Sequence, residues 1–110
     1  MDCDLFDIAL FRFPFSEREG GKIRPALVLS NRRFNLDHQH AVMSMITTAR
    51  QVSWPSDVQI EHFGAAGLIA PSVIRWKLFT LDKSLYLGRV GTLGSVDANR
   101  ARLALSEFLA

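Results

Sequence analysis

The rhythm of its apolar runs narrows the fold of this chain more than any other feature: none is longer than about a dozen residues, and most are closed by proline, glycine or a polar cluster. "LFDIALFRFPF" (5–15) partly alternates and stops at Pro14 and Ser16, as a strand does. "PALVLS" (25–30) reads as a second strand opening on Pro25, a position where a missing N–H costs least, and "AVMSMIT" (41–47) as a third. Between them the polar stretch 31–40 suits a surface loop or a single helical turn. "DVQIEHF" (57–63) alternates, with Val58, Ile60 and His62 on one face, and "SVIRWKLFTL" (72–81) continues from Pro71 as another strand. Only the end of the chain changes period. In "SVDANRARLALSEFLA" (95–110), Ser95 or Asp97 can cap a helix whose Ala101, Leu105, Phe108 and Leu109 return on one side. The expectation is a mainly β fold, barrel or sandwich, closed by one C-terminal α-helix.

Length and composition agree with one domain spanning 1–110. A hydrophobic share of 48% and a charged share of 22% are those of a chain that folds by itself. The net charge of +2 permits a polyanionic partner without requiring one, so the placement of the cations matters more than their excess. Cys3 is the only cysteine, which rules out an intramolecular disulfide and a cysteine-based zinc site and fits a reducing cytoplasm. Residues 1–15 carry acids where an export signal carries Lys or Arg, and no apolar run approaches the roughly 18 residues of a membrane span. A cytoplasmic protein with no membrane partner is expected.

The stretch "GGKIRPALVLSNRR" (20–33) places Arg24 at the mouth of one of the most apolar runs. Paired with an acid on a neighbouring strand, or lying at the surface, it would be structural. Its company suggests more. A Gly-Gly loop with Glu17, Arg18, Glu19 and Lys22 precedes it, and another strand ends in Thr47, Thr48, Ala49 and Arg50. Adjacent strands can bring these to one end of the barrel, giving a planar cation, two hydroxyls and a carboxylate in one cleft, a set suited to a phosphodiester.

"KIRPALVLSN", "MITTAR", "PSVIRWKLFTLDKS" and "GRVGTLGSVD" resemble, in order and spacing, the successive motifs of the MazF/PemK toxins, endoribonucleases of type II toxin–antitoxin modules. The resemblance runs from about Phe6 to the last helix. It implies a small SH3-like barrel with a C-terminal helix, a homodimer binding single-stranded RNA (mRNA) across its interface, metal-independent, sequence-selective cleavage at short sequences without a cofactor, and an antitoxin whose tail blocks the RNA groove. The family's R-P arginine falls on Arg24, its threonine after the apolar strand on Thr47 rather than Thr48, and its loop glutamate on Glu19. A later arginine emphasised in some members falls on Arg75. The chain departs from that pattern in three places: Arg18 stands where those members have a loop histidine, Lys77 where they have an acid, and Phe6 where a glycine usually precedes the first Asp-Ile.

Residue chemistry is compatible with this assignment. With the RNA 2′-hydroxyl as nucleophile, the products are a 2′,3′-cyclic phosphate and a 5′-hydroxyl, and the catalyst must stabilise charge on the phosphate oxygens. Arg24 offers fork-shaped donors, and a guanidinium carries its charge throughout, so charge stabilisation comes first, proton donation second, and the role of base is excluded. Thr47 would donate to the same oxygens, or else satisfy a backbone group at a strand end. Glu19 would accept the 2′-hydroxyl proton, or else be an exposed loop charge. Trp54, beside Pro55, is either a stacking platform for an unpaired base or a buried loop anchor. Phe15, Ser16, Lys22, Thr48, Arg50, Arg75 and Lys77 complete a candidate RNA track. Alternation puts Arg75 and Lys77 on one face and Trp76 with Leu78 on the other, with Trp76 read as core.

Other features carry less. His38 and His40 read as loop histidines, and no metal is expected. "EGGK" lacks the remaining residues of a phosphate-binding P-loop. Cys3, beside two acids, is a poor nucleophile. The rival function is a non-catalytic toxin of the same fold that binds a protein such as DNA gyrase; an antitoxin-sequestering decoy is a third option.

Overall fold

A computed structural model describes residues 1–14, 21–49 and 53–109. Six strands form one antiparallel sheet: β1 (Asp7–Phe13), β2 (Lys22–Val28), β3 (His40–Thr48), β4 (Val58–Gln59), β5 (Ser72–Asp82) and β6 (Tyr86–Thr92). Their order is β4-β5-β3-β2-β1-β6. Helix α1 (Arg32–His38) lies between β2 and β3, and α2 (Ser95–Leu109) ends the fold. The sheet is mainly β with a C-terminal helix, as the apolar rhythm suggests, and it is barrel-like without closing.

Strand alternation divides the core in two. Ala9, Phe11 and Phe13 meet Ala26, Val28, Ala41 and Met43 on one face, with Phe13 edge-on to Phe79 at 5.2 Å between centroids. Ile8, Leu27, Ile46 and Ile74 share the other face with Ile60, Leu93 and Ala101, where α2 packs through Ala98, Ala101 and Leu105. Phe108 and Leu109, expected on the buried side of that helix, are half exposed. On the open side of β6, the backbone of 66–67 stands so close that a Cβ on Gly91 would lie 2.0 Å from the Ala66 carbonyl oxygen. Only glycine permits that approach, which covers part of the edge strand.

Four local outcomes differ from the sequence expectation. The 31–40 stretch contains a seven-residue helix, because the Asn31 side chain accepts the Phe34 N–H at 3.0 Å and the fully buried Asn35 donates to the carbonyls of Cys3 (2.8 Å) and Ser30 (3.1 Å). Strand β2 starts three residues before Pro25, since its pairing with β1 extends to Phe13↔Lys22. The strand expected over 57–63 shrinks to Val58–Gln59. There Asp97 does not cap α2: its buried carboxylate accepts the N–H groups of Glu61 and His62, each at 2.9 Å, and draws that backbone off the sheet toward the helix.

Phe6 occupies the left-handed region with φ 65°, although it has a side chain. The conformation lets its N–H donate to Val28 (2.7 Å) while its carbonyl accepts from Leu93 (3.0 Å), and the ring is 5% exposed in the core. Burial outweighs the left-handed penalty of about 1–2 kcal/mol. Replacing Phe6 by Ala should therefore destabilise the fold by about 3–5 kcal/mol. Phe6→Gly should be less damaging than Phe6→Ala, reversing the usual order, because glycine relieves the backbone strain. Urea midpoints of the two variants test this, and an Ala variant more stable than the Gly variant would contradict it.

Candidate nucleic-acid interface

The β2–β3 ladder comprises only Ala26↔Met45, Leu27↔Ser44 and Val28↔Met43. Pro25 is the next residue along, and with no N–H it cannot extend the ladder. The same register carried two residues further sets Arg24 opposite Thr47, on one face of the sheet. Here the strands part. Lys22, Arg24, Pro25, Thr47, Thr48 and the buried Ser72 are among the residues lining a cavity of about 270 Å³ in the gap. Arg24 is half-buried, and no acid among the described residues pairs with it.

A second cavity, of about 390 Å³, shares Lys22 and Arg24 and is completed by Phe13, Met45, Lys77, Leu78 and Phe79. Lys77 arrives there through an irregularity in β5. Pairing with β3 jumps from Ser44↔Leu78 to Met45↔Arg75, leaving Trp76 and Lys77 with no residue across from them. Lys77 and Leu78 consequently line one cavity rather than opposite faces, while Trp76 packs against the core as expected. Together the two cavities make one groove with Lys22 and Arg24 at its centre and Lys77 along one side.

Trp54 stands beside Lys77. The residue is 39% exposed and its ring carries two cations: the Arg75 guanidinium 5.2 Å and the Lys77 ammonium 5.6 Å from its centroid. Asp57 ties this arrangement together. One oxygen accepts the Trp54 backbone N–H at 3.0 Å and Arg75 Nη2 at 2.9 Å; the other accepts Arg75 Nε at 3.2 Å. The Asp57 N–H donates in turn to the Trp54 carbonyl at 3.1 Å, closing the turn through Pro55. The forked bond from Arg75 holds the Asp57 carboxyl below the usual carboxylate range, against an opposing contribution from burial.

The structure thus brings Lys22, Arg24, Thr47, Thr48 and Lys77 together along the groove, with Trp54 and the exposed Pro55 beside Lys77. Arg75 is engaged by Asp57 under the indole instead of lining either cavity. Phe15, Ser16, Glu19 and Arg50 lie outside the described residues, as do Glu17 and Arg18. Sequence reasoning did not single out Asp57, Met45 or Ser72. For Asp57 the only local signal is an acid closing the "WPSD" turn; Met45 and Ser72 give none.

Cys3 is buried, and its thiol is pushed up first by that burial and then by the charge of Asp7. His40 Nδ1 lies 2.7 Å from the His38 carbonyl and Nε2 lies 3.6 Å from Asp82. Among the described residues no cluster of three or more His, Cys, Asp or Glu forms a metal-binding group, and no helix is long and apolar enough to cross a membrane.

A curled antiparallel sheet with a terminal helix, split beside a proline to expose an arginine and two lysines, defines a small β protein with a cationic groove. The chain belongs to the PemK-like, MazF-like toxins of type II toxin–antitoxin systems, whose family model matches residues 4–109. Among solved structures, it is similar to a MazF from Deinococcus radiodurans (TM-score 0.76, 23% identity, covering 99% of this chain and 97% of the other). A MazE–MazF structure from the same organism gives TM-score 0.77 at 22% identity, with the same coverages of 99% and 97%. An endoribonuclease in complex with its cognate antitoxin from a mycobacterial species gives 0.72 at 18%, covering 96% and 91%. At these identities the likeness is one of fold. Comparison with curated protein sequences finds no match.

The lowered Asp57 pKa fixes the sign of an acid effect. A carboxyl ionising more readily in the folded chain contributes stability above its unfolded value, near 3.8, and loses it as pH falls through the folded value. The stability gap between the native chain and Asp57→Asn should be constant from pH 7 to 5 and narrow below about pH 4. Denaturant midpoints across that range measure it; a gap that widens on acidification would contradict the ion-pair account.

Proposed function

We propose that this toxin is an endoribonuclease cleaving single-stranded RNA in the groove between β2, β3 and β5. One observation carries the reading: the ladder stops at Pro25, leaving Arg24 and Thr47 on one face of the same cavity with Lys22 beside them. A permanently protonated fork in a half-buried cleft, with no acid paired to it among the described residues, suits a phosphodiester oxygen.

In this reading the 2′-oxygen attacks phosphorus as its proton passes to a base, and the bond from phosphorus to the 5′-oxygen breaks. The 5′-oxygen leaves as a hydroxyl after taking a proton from water. The products are a 2′,3′-cyclic phosphate and a 5′-hydroxyl. Arg24 and Thr47 stabilise the charge that grows on the non-bridging oxygens. The base role is assigned to Glu19, five residues before Arg24, since a carboxylate accepts a proton and a guanidinium does not. Lys22 and Lys77 hold flanking phosphates, and Trp54 receives an unpaired base. Phe15, Ser16, Thr48, Pro55 and Arg50 are assigned to the rim. The functional unit is proposed to be a homodimer, restrained by an antitoxin segment occupying the same groove. The likeness to structures of toxins bound to antitoxins supports such a partner.

Purified chain incubated with an RNA ladder in chelator should cut it. Arg24→Ala should cut about 10²–10³ times more slowly, and a 2′-deoxy substitution at the scissile position should abolish cutting. Cleavage indifferent to either change overturns the mechanism. If Lys22, Arg24 and Lys77 neutralise three phosphates, log affinity for a single strand should fall against log salt with a slope of roughly −2. A titration at several salt concentrations, whose slope should shrink by about 0.7 in Lys77→Ala, tests that count.

A further inference from the structure

The groove's edge contains a device that the cleavage chemistry itself does not require. We propose that Asp57 is the positioning residue of a nucleobase-stacking subsite, holding the Trp54 indole at the rim of the Arg24–Lys77 groove for an unpaired base of the RNA. This rests on the RNA-cleaving reading above and concerns how its substrate is seated.

Three contacts converge on the Asp57 carboxylate: the Trp54 N–H at 3.0 Å and the Arg75 fork at 2.9 and 3.2 Å. The first fixes the backbone that bears the indole. The other two fix the guanidinium whose carbon lies 5.2 Å from the indole centroid. Backbone and ring are thereby held from one anion, whose side chain is only 7% exposed and so restrained by packing. Arg75 accordingly acts as a strut under the platform, a different task from gripping a phosphate.

Trp54 as a residue is nonetheless 39% exposed, more than a buried loop anchor would be. Lys77 spans the two parts of the site, with its ammonium 5.6 Å from the ring centroid and its side chain lining the cavity that holds Arg24. A strand whose phosphate meets Arg24 can pass Lys77 and lay a base on the indole. Stacking of this kind accepts any base, because each offers a π-face, and holding the indole in place lowers the ordering cost of binding.

The test uses the full chain and a 2′-deoxy oligonucleotide of mixed sequence, which binds without being cut. The chain has two tryptophans, Trp54 and the core Trp76, so Trp54→Phe assigns the fluorescence change. Oligonucleotide should quench the native signal. Trp54→Ala should weaken binding about tenfold, and Asp57→Asn comparably, with the effect on RNA cleavage falling on KM more than on kcat. Asp57→Asn added to Trp54→Ala should weaken binding little further, because a positioning residue has nothing left to position. Equal weakening by Asp57→Asn in both backgrounds would overturn the proposal in favour of a general structural role. Unchanged affinity in Trp54→Ala, a rim variant that stands even where Asp57→Asn does not fold, would also overturn it. Binding that responds as expected without any RNA cleavage would defeat the nuclease reading alone, and a native chain that neither binds nor is quenched defeats both.

Discussion

A proline that cannot donate a hydrogen bond sets the limit of the β2–β3 ladder, and the groove is the consequence. Beyond Ala26↔Met45 the strands are no longer paired, yet β2 remains paired to β1 as far as Lys22. Both sides of the gap are therefore held from behind, β2 by β1 and β3 by β5 through Thr47↔Val73 and Thr48↔Ser72. Arg24 is carried by a strand fixed through Phe11↔Arg24, with the fully buried Phe11 across from it. A side chain on a paired strand is aimed more reproducibly than one on a loop, which is what charge stabilisation in a transition state demands. Arg24 stands where a small apolar residue would fold at lower cost, and the opening beside Pro25 puts its half-buried side chain on a cavity wall, where a cation can meet a ligand.

The second half of the groove depends on a different break in regularity. If β5 kept its pairing through Trp76 and Lys77, strict alternation would send these neighbours to opposite faces and Leu78 away from Lys77. The jump in register releases both residues. Trp76 turns to the core while Lys77 and Leu78 share the cavity wall. Just beyond, Arg75 returns to the ladder opposite Met45 and is held by Asp57. Two interruptions on the strands that flank β3, a missing N–H on β2 and a bulge in β5, thus place Lys22 and Arg24 from one element and Lys77 from another around a single opening.

Much of this was legible in the sequence, and the losses have physical causes. The strands around Phe11, Leu27, Met43 and Ile74 were visible because they are short apolar runs closed by turn residues, buried on both faces where Ala26, Leu27 and Val28 follow one another. Strand β6 was not read, since "YLGRVGT" has glycines at two positions and is largely exposed, leaving little apolar signal. Helix α1 escaped because it rests on Asn35, a buried polar residue that hydropathy counts as surface. The apparent strand over 57–63 misled for the converse reason. Its alternation is real, but a carboxylate 35 residues away at Asp97 takes the N–H groups of Glu61 and His62. At the site, Arg24 and Thr47 could be paired from strand order alone. Arg75 could not be separated from the phosphate track, because nothing local shows that Asp57, 18 positions earlier in the chain, reaches it.

A net charge of only +2 is compatible with the proposed polyanionic substrate, because the groove gathers cations at one opening. What matters is the field at one opening, and like charges gathered there repel one another, so the folded chain carries an electrostatic cost that dispersed cations would avoid. Among the described residues, three buried or half-buried acids are engaged elsewhere: Asp57 on Arg75, Asp7 on Arg89, and Asp97 on the 61–62 backbone and Arg100. An incoming phosphate relieves the repulsion at the same moment as it gains hydrogen bonds, so binding energy and the removal of a folding penalty act in one direction. If the proposed antitoxin segment occupies this groove, the same argument favours acidic side chains over purely apolar ones, because an anion offsets the charge gathered there.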